Sequence, residues 1–335
     1  MNEVEIIIAS NFPDRKVLGI TNRGYWVDED THRWALETRG ERWRGRRIIK
    51  FRLDDNTDYC LKIQNPDDDW EDAFVSETNF YSLLSHSVVP VPRIVRVDVS
   101  KQLIDSNYII VTGLSGEKLS AIWRISDENT RDEIYRAIGE TYRCIHTIQG
   151  ERSGLFKSTE NKYETRFPVH PSAFFLENEI KKGSGLKLRE NGVLRRVLHD
   201  KITDLWSRNL DELVSNTPVL VHYSSFFWNI CLESDPEWRI SRLTGCSDSL
   251  WWDAAVNLSL FRYPPFMSIE RRHWESFRKG YKYPIDNRKI ALYAILITLM
   301  AATGTFYEPK TMSNIYSGNE VNKRIVQLVE QVEAI

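Results

Sequence analysis

The sequence predicts an α+β protein of two lobes, and three observations carry this prediction. The first third of the chain contains short runs of alternating polar and apolar residues, which are typical of strands. The remainder is dominated by apolar residues at helical spacing. Between them lies Gly113-Leu114-Ser115-Gly116, which has the composition of a hinge. We therefore expect a small antiparallel-sheet lobe with one helix over residues 1–112 and a larger helical lobe over residues 113–335.

The first lobe is predicted to contain a β-hairpin, one helix and two further strands. Residues 47–53 alternate polar and apolar side chains, the turn-rich cluster 54–58 follows, and 59–63 forms the partner strand. Residues 72–85 have nearly helical apolar spacing, and the prolines of the segment 89–92 cannot continue a helix. Further strands are predicted at 34–38 and 108–111.

The second lobe is predicted to be built mainly from helices. Helical spacing of apolar residues covers 131–147, 193–214 and the terminal segment 321–332, while 219–221 and 238–243 are predicted as short strands. The most apolar segment, 290–303, is shorter than the ~20 residues that a membrane span needs. We therefore expect it to be a buried core helix.

Composition excludes several classes of protein. The 335 residues are 41% hydrophobic and 27% charged, with a formal net charge of −2, so we expect neither nucleic acid nor a membrane as the partner. The start of the chain is acidic and its apolar run is short, unlike a secretory signal. The four cysteines lie far apart, which disfavours a zinc site or a disulfide framework. These features predict a reducing, cytoplasmic location.

The segment 220–230 carries the pattern with the most chemical content. Kinases place the motif H-x-D-x-x-x-x-N after a short strand, where the aspartate accepts or orients the proton of the attacking hydroxyl and the asparagine binds magnesium. His222 and Asn229 have this spacing, and Ser224 stands at the aspartate position. Taken alone, the pattern favours a buried strand followed by an aromatic loop. The aromatic residues 226–228 would then either pack beneath the loop or block a substrate cleft.

Further segments, in the same order along the chain, resemble the aminoglycoside phosphotransferase and choline kinase-like family. The loop above is similar to the family's "LVHGD…N-IL" segment. Asp248, in Gly-Cys-Ser-Asp, lies where the family carries a metal-binding aspartate. Residues 251–258 are similar to "W-G-D-P-A-x-D-L", with Asp253 retained and Asn257 in place of the second aspartate.

The first lobe carries matching segments. Lys62 resembles the strand lysine that contacts the nucleotide phosphates, and Glu77 resembles its helix partner. Residues 89–92 resemble the family's "V-P-V-P" turn, and residues 108–117 resemble its hinge. The resemblance implies a protein-kinase-like fold that uses ATP or GTP with Mg²⁺. The nucleotide site that it implies comprises Lys62, Glu77, Gly40, Gly45 and Val111, and the metal ligands are Asn229 and Asp248.

The departures from the family pattern bear on activity. A serine hydroxyl is not a useful general base at neutral pH, Tyr223 replaces the family's glycine, and Asn257 removes a carboxylate. We therefore predict a degenerate, pseudokinase-like protein that binds a nucleotide, a small molecule or a protein partner. The alternative is an active ATP- or GTP-dependent phosphotransferase to a hydroxyl of a small molecule or peptide, with a non-standard base such as Asp253. A third interpretation is a structural module whose cleft binds nothing.

Overall fold

The computed structural model describes most of the chain. The described residues are 2–25, 47–64, 73–113, 115–159, 162–165, 169–214, 217–225, 227–264, 268–303 and 318–334. The strand predicted at 34–38 lies outside them.

The first lobe contains a five-stranded antiparallel sheet with the strand order β1-β2-β3-β5-β4. Its members are β1 Val17–Tyr25, β2 Arg47–Leu53, β3 Asp58–Ile63, β4 Arg93–Asp98 and β5 Tyr108–Thr112. The predicted hairpin of β2 and β3 is confirmed, as is β5. The sequence pattern did not predict β1 or β4. The side chains of β4 are exposed or half-buried at the sheet edge, so this strand lacks the alternating burial that marks a strand.

Two helices, rather than the predicted one, flank this sheet. The expected helix is α2, Ala73–Leu84, and it packs in the core that the sheet shares with the second lobe. The additional helix is α1, Glu3–Asn11, whose Ile7 and Ile8 cover the opposite face of the sheet. Its start is a capping box in which Asn2 and Glu5 bond each other's backbone N–H groups. That N-x-x-E signal was available in the sequence.

The second lobe is mainly helical, as predicted. Its helices are α3 Leu119–Ile125, α4 Glu128–Ile145, α5 Pro171–Phe175 continued by a π-helical turn at Leu176–Lys181, α6 Ser184–Glu190, α7 Arg196–Arg208, α8 Leu210–Val214, α9 Ala255–Arg262, α10 Arg271–Tyr281, α11 Asn287–Ala302 and α12 Gly318–Glu333.

Two of the predicted helices have informative outcomes. The single helix expected over 193–214 is wrong, because Asn209 ends α7 and its side-chain amide donates to the carbonyl of Leu205 at 2.7 Å. The core helix expected over 290–303 is confirmed as α11, which is buried from Ile290 to Ala301. No helix among the described residues combines the length and apolarity needed to cross a bilayer.

Short strands complete the second lobe in two small sheets. The sheet β11-β10-β6 contains β6 Glu117–Lys118, β10 Ile230–Ser234 and β11 Trp238–Leu243; the sheet β8-β7-β12-β9 contains β7 Gly154–Thr159, β8 Lys162–Thr165, β9 Val219–Val221 and β12 Leu250–Trp252. The predicted strands at 219–221 and 238–243 are confirmed. The backbone N–H of Thr244, just after β11, donates to the carbonyl of Asn229 at 2.9 Å. The two loops that follow β9 and β11 therefore meet.

The cysteines agree with the expectation from their spacing. Cys60, Cys144, Cys231 and Cys246 are all free thiols, and three of them are buried. The chain therefore contains no disulfide.

Candidate functional site

The first part of the site is a buried ion pair between the sheet and α2. Lys62 lies on β3 and its Nζ contacts Oε1 of Glu77, which is fully buried on α2. The hydroxyl of Tyr81 donates to the same oxygen at 2.6 Å. Tyr81 was not predicted, although its position one helical turn after Glu77 was visible in the sequence. The predicted contact between Lys62 and Glu77 is present, and their role toward a nucleotide stays a prediction.

The second part is the loop after β9, which His222 holds in place. The hydroxyl of Tyr142 lies 2.9 Å from Nδ1 of His222, and Nε2 lies 2.9 Å from the carbonyl oxygen of Thr244. A carbonyl only accepts, so Nε2 carries the proton and Nδ1 accepts from Tyr142. Burial lowers the pKa of His222 to about 4, and the ring is neutral at pH 7. His222 thus orients the loop through hydrogen bonds.

Asn257 holds the same loop through hydrogen bonds of its side-chain amide. Its Oδ1 accepts from the backbone N–H of His222 at 3.2 Å and from Nε2 of His146 at 3.1 Å. Its Nδ2 donates to the carbonyl of His222 and to Oγ of Ser225, both at 2.6 Å. A carboxylate has no hydrogen to donate to a carbonyl, so the amide matches these partners better than an aspartate would. The expectation that Asn257 alters the reacting centre is therefore revised: it supports the loop backbone.

The third part joins Ser224, Asn229 and Asp248. The hydroxyl of Ser224 donates to Oδ2 of Asp248 at 2.7 Å, and Nδ2 of Asn229 donates to the carbonyl of Ser224 at 2.7 Å. This approach requires Gly245, which has a φ of +68°, because a Cβ there would lie 2.4 Å from Nδ2 of Asn229. The structure thus brings the predicted base position and the predicted metal ligands together. Carboxylate and amide oxygens are ligands that Mg²⁺ accepts.

Asp253, the predicted substitute base, has partners of its own. Its Oδ1 accepts from the backbone N–H of Ala255 at 2.8 Å, at the start of α9. Its Oδ2 lies 3.9 Å from Nζ of Lys289, and both side chains are nearly buried. These contacts are those of a residue that orders a helix start, and its catalytic role stays a prediction.

Two aromatic residues of the loop, Tyr223 and Phe227, turn into the core. The ring of Tyr223, which replaces the family's glycine, stacks on Phe175 with centroids 6.1 Å apart, and its hydroxyl donates to Sδ of Met300 at 3.3 Å. Phe227 packs edge-on against Trp123 at 5.3 Å. Of the two alternatives, packing beneath the loop holds for Phe227, while Phe226 lies outside the described residues.

The remaining predicted nucleotide residues differ in outcome. Val111 is buried on β5 and pairs with Cys60 on β3, so it lies on the same face of the sheet as Lys62. Gly40 and Gly45 lie outside the described residues.

The buried histidines predict a loss of stability in acid. Burial lowers the pKa of both His222 and His146 from 6.5 to about 4, so as the pH falls the unfolded chain binds protons before the folded one. The free energy of unfolding should therefore fall from about pH 6.5 down to about pH 4, by about 2 kcal/mol per histidine at pH 5. Urea titrations at pH 7 and pH 5 measure this.

A matched pair of variants isolates the effect. His146→Gln keeps a donor toward Asn257 but does not titrate, and it should reduce the pH dependence by about half, because His222 remains. His86→Gln, at an exposed position, should leave it unchanged. Equal pH dependence in the wild type and in His146→Gln would contradict the assignment for His146.

Comparison with known proteins adds three findings. The family model described as "Phosphotransferase enzyme family" matches residues 40–241, and no curated protein matches the sequence. A thermostable mutant of aminoglycoside phosphotransferase APH(4)-Ia, in ternary complex with AMP-PNP and hygromycin B, is similar in structure, with a TM-score of 0.63, 15% identity and coverage of 98% of this chain and 99% of that one. For ADP-bound aminoglycoside phosphotransferase APH(2'')-Ib the TM-score is 0.59 and the identity 14%, and the match covers 98% of both chains. For macrolide 2'-phosphotransferase MphH from Brachybacterium faecium, as the apoenzyme, the TM-score is 0.59 and the identity 15%. The match covers 90% of this chain and 91% of that one.

Proposed function

The chain belongs to the phosphotransferase enzyme family, and on this premise we propose that it is a degenerate member that binds a nucleoside triphosphate between its lobes and transfers phosphate poorly or not at all. The observation that carries this proposal is the hydrogen bond from Ser224 to Asp248 at 2.7 Å. The residue at the base position is a hydroxyl whose proton is donated to the predicted metal ligand.

The missing base lowers the rate of phosphoryl transfer more than it lowers the affinity for nucleotide. General-base help is typically worth ~10²–10⁴-fold in rate, and a neutral hydroxyl supplies none of it at pH 7. Asp253, the other candidate, accepts a backbone N–H at 2.8 Å and lies beside Lys289. Neither group is arranged to take a proton from an acceptor hydroxyl.

Nucleotide binding is supported by the groups that remain. Lys62 provides a positive charge held in place by Glu77, and Asn229 and Asp248 provide oxygen ligands for Mg²⁺. Two of the similar structures are bound to ADP and AMP-PNP. In this arrangement Lys62 would bind phosphate oxygens, and the metal would neutralise their charge.

An active phosphotransferase is the second candidate, and the same retained groups favour it. Phosphoryl transfer depends mainly on positioning and electrostatics. A protein that keeps Lys62, Glu77, Asn229 and Asp248 therefore retains most of what the reaction needs. Its acceptor would be a hydroxyl of a small molecule or peptide.

The partner in the degenerate function is a small molecule or a protein, which the nucleotide-bound form would recognise. A net charge of −2 gives no attraction toward nucleic acid. The four free thiols support a reducing, cytoplasmic location.

A nucleotide titration with and without Mg²⁺ tests the proposal. We expect ATP or GTP to bind the wild type, and Asp248→Ala to remove the Mg²⁺ dependence. Lys62→Ala should weaken binding about 10- to 100-fold, because charge-assisted hydrogen bonds contribute about 1.5–3 kcal/mol each. Arg96→Ala removes an exposed cation from β4 of the same sheet and serves as the control. If the wild type binds no nucleotide, the structural module replaces this proposal.

A further inference from the structure

The starts of α4 and α10 carry a second group of titratable side chains, and the proposed function does not use it. Glu128 is the first residue of α4, and Glu270 directly precedes α10. His273 follows Glu270 three residues later, in an E-x-x-H spacing that places the two side chains close together at the helix start. Some helix bundles bind iron or manganese with this spacing and a glutamate from a facing helix.

A close contact between the two helices brings their starts side by side. A Cβ at Gly280 of α10 would lie 2.1 Å from the carbonyl oxygen of Arg136 on α4, so the helices pack backbone to backbone there. Earlier in both helices, His273 contacts Asp132. The helices therefore run in the same direction, and the first turn of one lies beside the first turn of the other.

Asp132 fixes the orientation of the His273 ring. His273 is 1% exposed, and its Nδ1 lies 2.8 Å from Oδ1 of Asp132. The other carboxylate oxygen of Asp132 accepts from Nη2 of Arg272 at 2.6 Å. An ionised carboxylate only accepts hydrogen bonds, so Nδ1 of the histidine donates. A histidine that a carboxylate holds in this way presents Nε2 to a metal ion.

Nε2 of His273 lies beside a carboxylate oxygen that has no hydrogen bond. It is 3.0 Å from Oε2 of Glu128, but the contact lacks hydrogen-bond geometry, and Oε2 is a buried atom without a hydrogen-bond partner among the described residues. Oε1 of Glu128 accepts from Nη1 of Arg131 at 2.7 Å. A ring that donated from both nitrogens would direct its second N–H at Oε2. The arrangement is instead that of two neighbouring ligands of one cation.

The distances and the exposure suit a divalent ion that enters from solvent. Ligand atoms of Glu128, Glu270 and His273 all lie within 4.8 Å of one another. Two atoms that bind one Zn²⁺ at ~2.0–2.2 Å are ~3.0–3.6 Å apart. Glu270 is exposed and its side chain makes no cap hydrogen bond, so it can rotate toward the ion. The side chain of Glu128 is 40% exposed, and the two glutamates together give the ion its route.

We propose that Glu128, Glu270 and His273 bind a divalent transition-metal ion, with Zn²⁺ as the best fit, and that Asp132 is the outer partner that orients His273. Imidazole and carboxylate ligands together suit Zn²⁺, whereas Mg²⁺ takes oxygen ligands. Three protein ligands leave a fourth position for water. The ion joins the starts of α4 and α10 and thereby stabilises the second lobe.

Calorimetric titration of the untagged protein with Zn²⁺ tests the site. Excess Mg²⁺ is present, to occupy the oxygen ligands predicted at Asn229 and Asp248. We expect the wild type to bind one Zn²⁺, and Glu270→Gln, at an exposed position, to weaken this binding ~10-fold or more. Asp132→Asn should weaken it by ~10–100-fold, the usual cost of an altered outer partner, and His273→Gln should weaken it further.

Thermal unfolding provides a second readout. Zn²⁺ at about 100 times its dissociation constant should raise the melting temperature of the wild type by a few degrees, and Glu270→Gln should show a smaller rise. Glu275→Gln, on the same helix, is the matched control and should behave like the wild type. Cys144→Ser, which removes the least buried thiol, should also keep both the binding and the shift.

Three results would overturn the inference. They are a wild type that binds no Zn²⁺ in excess Mg²⁺, binding that Glu270→Gln and His273→Gln leave unchanged, and loss of binding in Cys144→Ser, which would assign the ion to a thiol. If His273→Gln does not fold, Glu270→Gln and Glu128→Gln decide. No nucleotide takes part in these measurements, so the proposed function is tested separately.

Discussion

Replacing Lys62 by methionine is expected to lower the free energy of unfolding by about 3–5 kcal/mol. The reason is the position of its partner. Glu77 is fully buried on α2, and without Lys62 its carboxylate would keep the Tyr81 hydroxyl at 2.6 Å but lose the positive charge beside it. Urea denaturation of the wild type and the variant measures the difference.

The opposite single variant and the double variant sharpen this prediction. Glu77→Gln should cost less than Lys62→Met, because the amine of Lys62 retains some exposure. The double variant Lys62→Met/Glu77→Gln should recover much of the loss, because no uncompensated charge then remains buried. Arg52→Met, which breaks an exposed pair with Asp58 in the same sheet, should change stability little. Additive costs for Lys62 and Glu77 would show that the two side chains do not act as a pair.

The second large effect is expected from Ser224→Asp. The wild type should hydrolyse ATP and GTP negligibly, although water is always present as an acceptor. A carboxylate at position 224 supplies the missing base, and we expect hydrolysis with Mg²⁺ to rise by ~10²-fold or more. Turnover of nucleotide to diphosphate and phosphate measures it.

The contact between Ser224 and Asp248 makes the stability of Ser224→Asp depend on a bound cation. In the wild type, Oγ of Ser224 lies 2.7 Å from Oδ2 of Asp248, so the variant places two carboxylates in contact. Their repulsion favours protonation of one of them unless a cation lies between them. We therefore expect Ser224→Asp to be less stable than the wild type in EDTA and to regain stability with Mg²⁺ and nucleotide.

An uncharged isostere provides the control. Ser224→Asn has nearly the same shape as Ser224→Asp, and it should neither hydrolyse nucleotide nor show the loss of stability in EDTA that the added carboxylate causes. Hydrolysis by the wild type that Lys62→Ala abolishes would contradict the degenerate function and favour the active phosphotransferase. If Ser224→Asp binds nucleotide but does not hydrolyse it, the missing base is not the cause of inactivity, and another part of the site is.

Much of the site was predictable because its motifs are local in sequence. The spacing of His222, Ser224 and Asn229 is set within one loop, and the structure places that loop after a short strand. The contact of Lys62 with Glu77 was implied by the family resemblance, and the apolar pattern placed the two residues on a strand and a helix. Patterns of this kind predict the folded structure correctly because each one concerns a single element and the residues directly after it.

The roles of the substituted residues were not predictable in the same way. A sequence shows that Asn257 and Tyr223 depart from a motif but not where their side chains point. The structure places Asn257 beneath the loop, with four hydrogen bonds, and Tyr223 against Phe175 in the core. Which substitution reaches the reacting centre depends on contacts between segments that are distant in the chain.

The sequence by itself determined the two-lobed α+β class, the order of the motifs and the hydroxyl at the base position, because composition, periodicity and spacing are properties of a linear chain. Only the tertiary structure decided that Ser224 donates to Asp248 and that a bulge at Ser241 places Arg242 on the face of β11 opposite to Ile240. The physical reason is that hydrogen-bond partners and strand register are set by packing between elements. One extra residue in a strand reverses the face of every side chain after it, and no local pattern records that change.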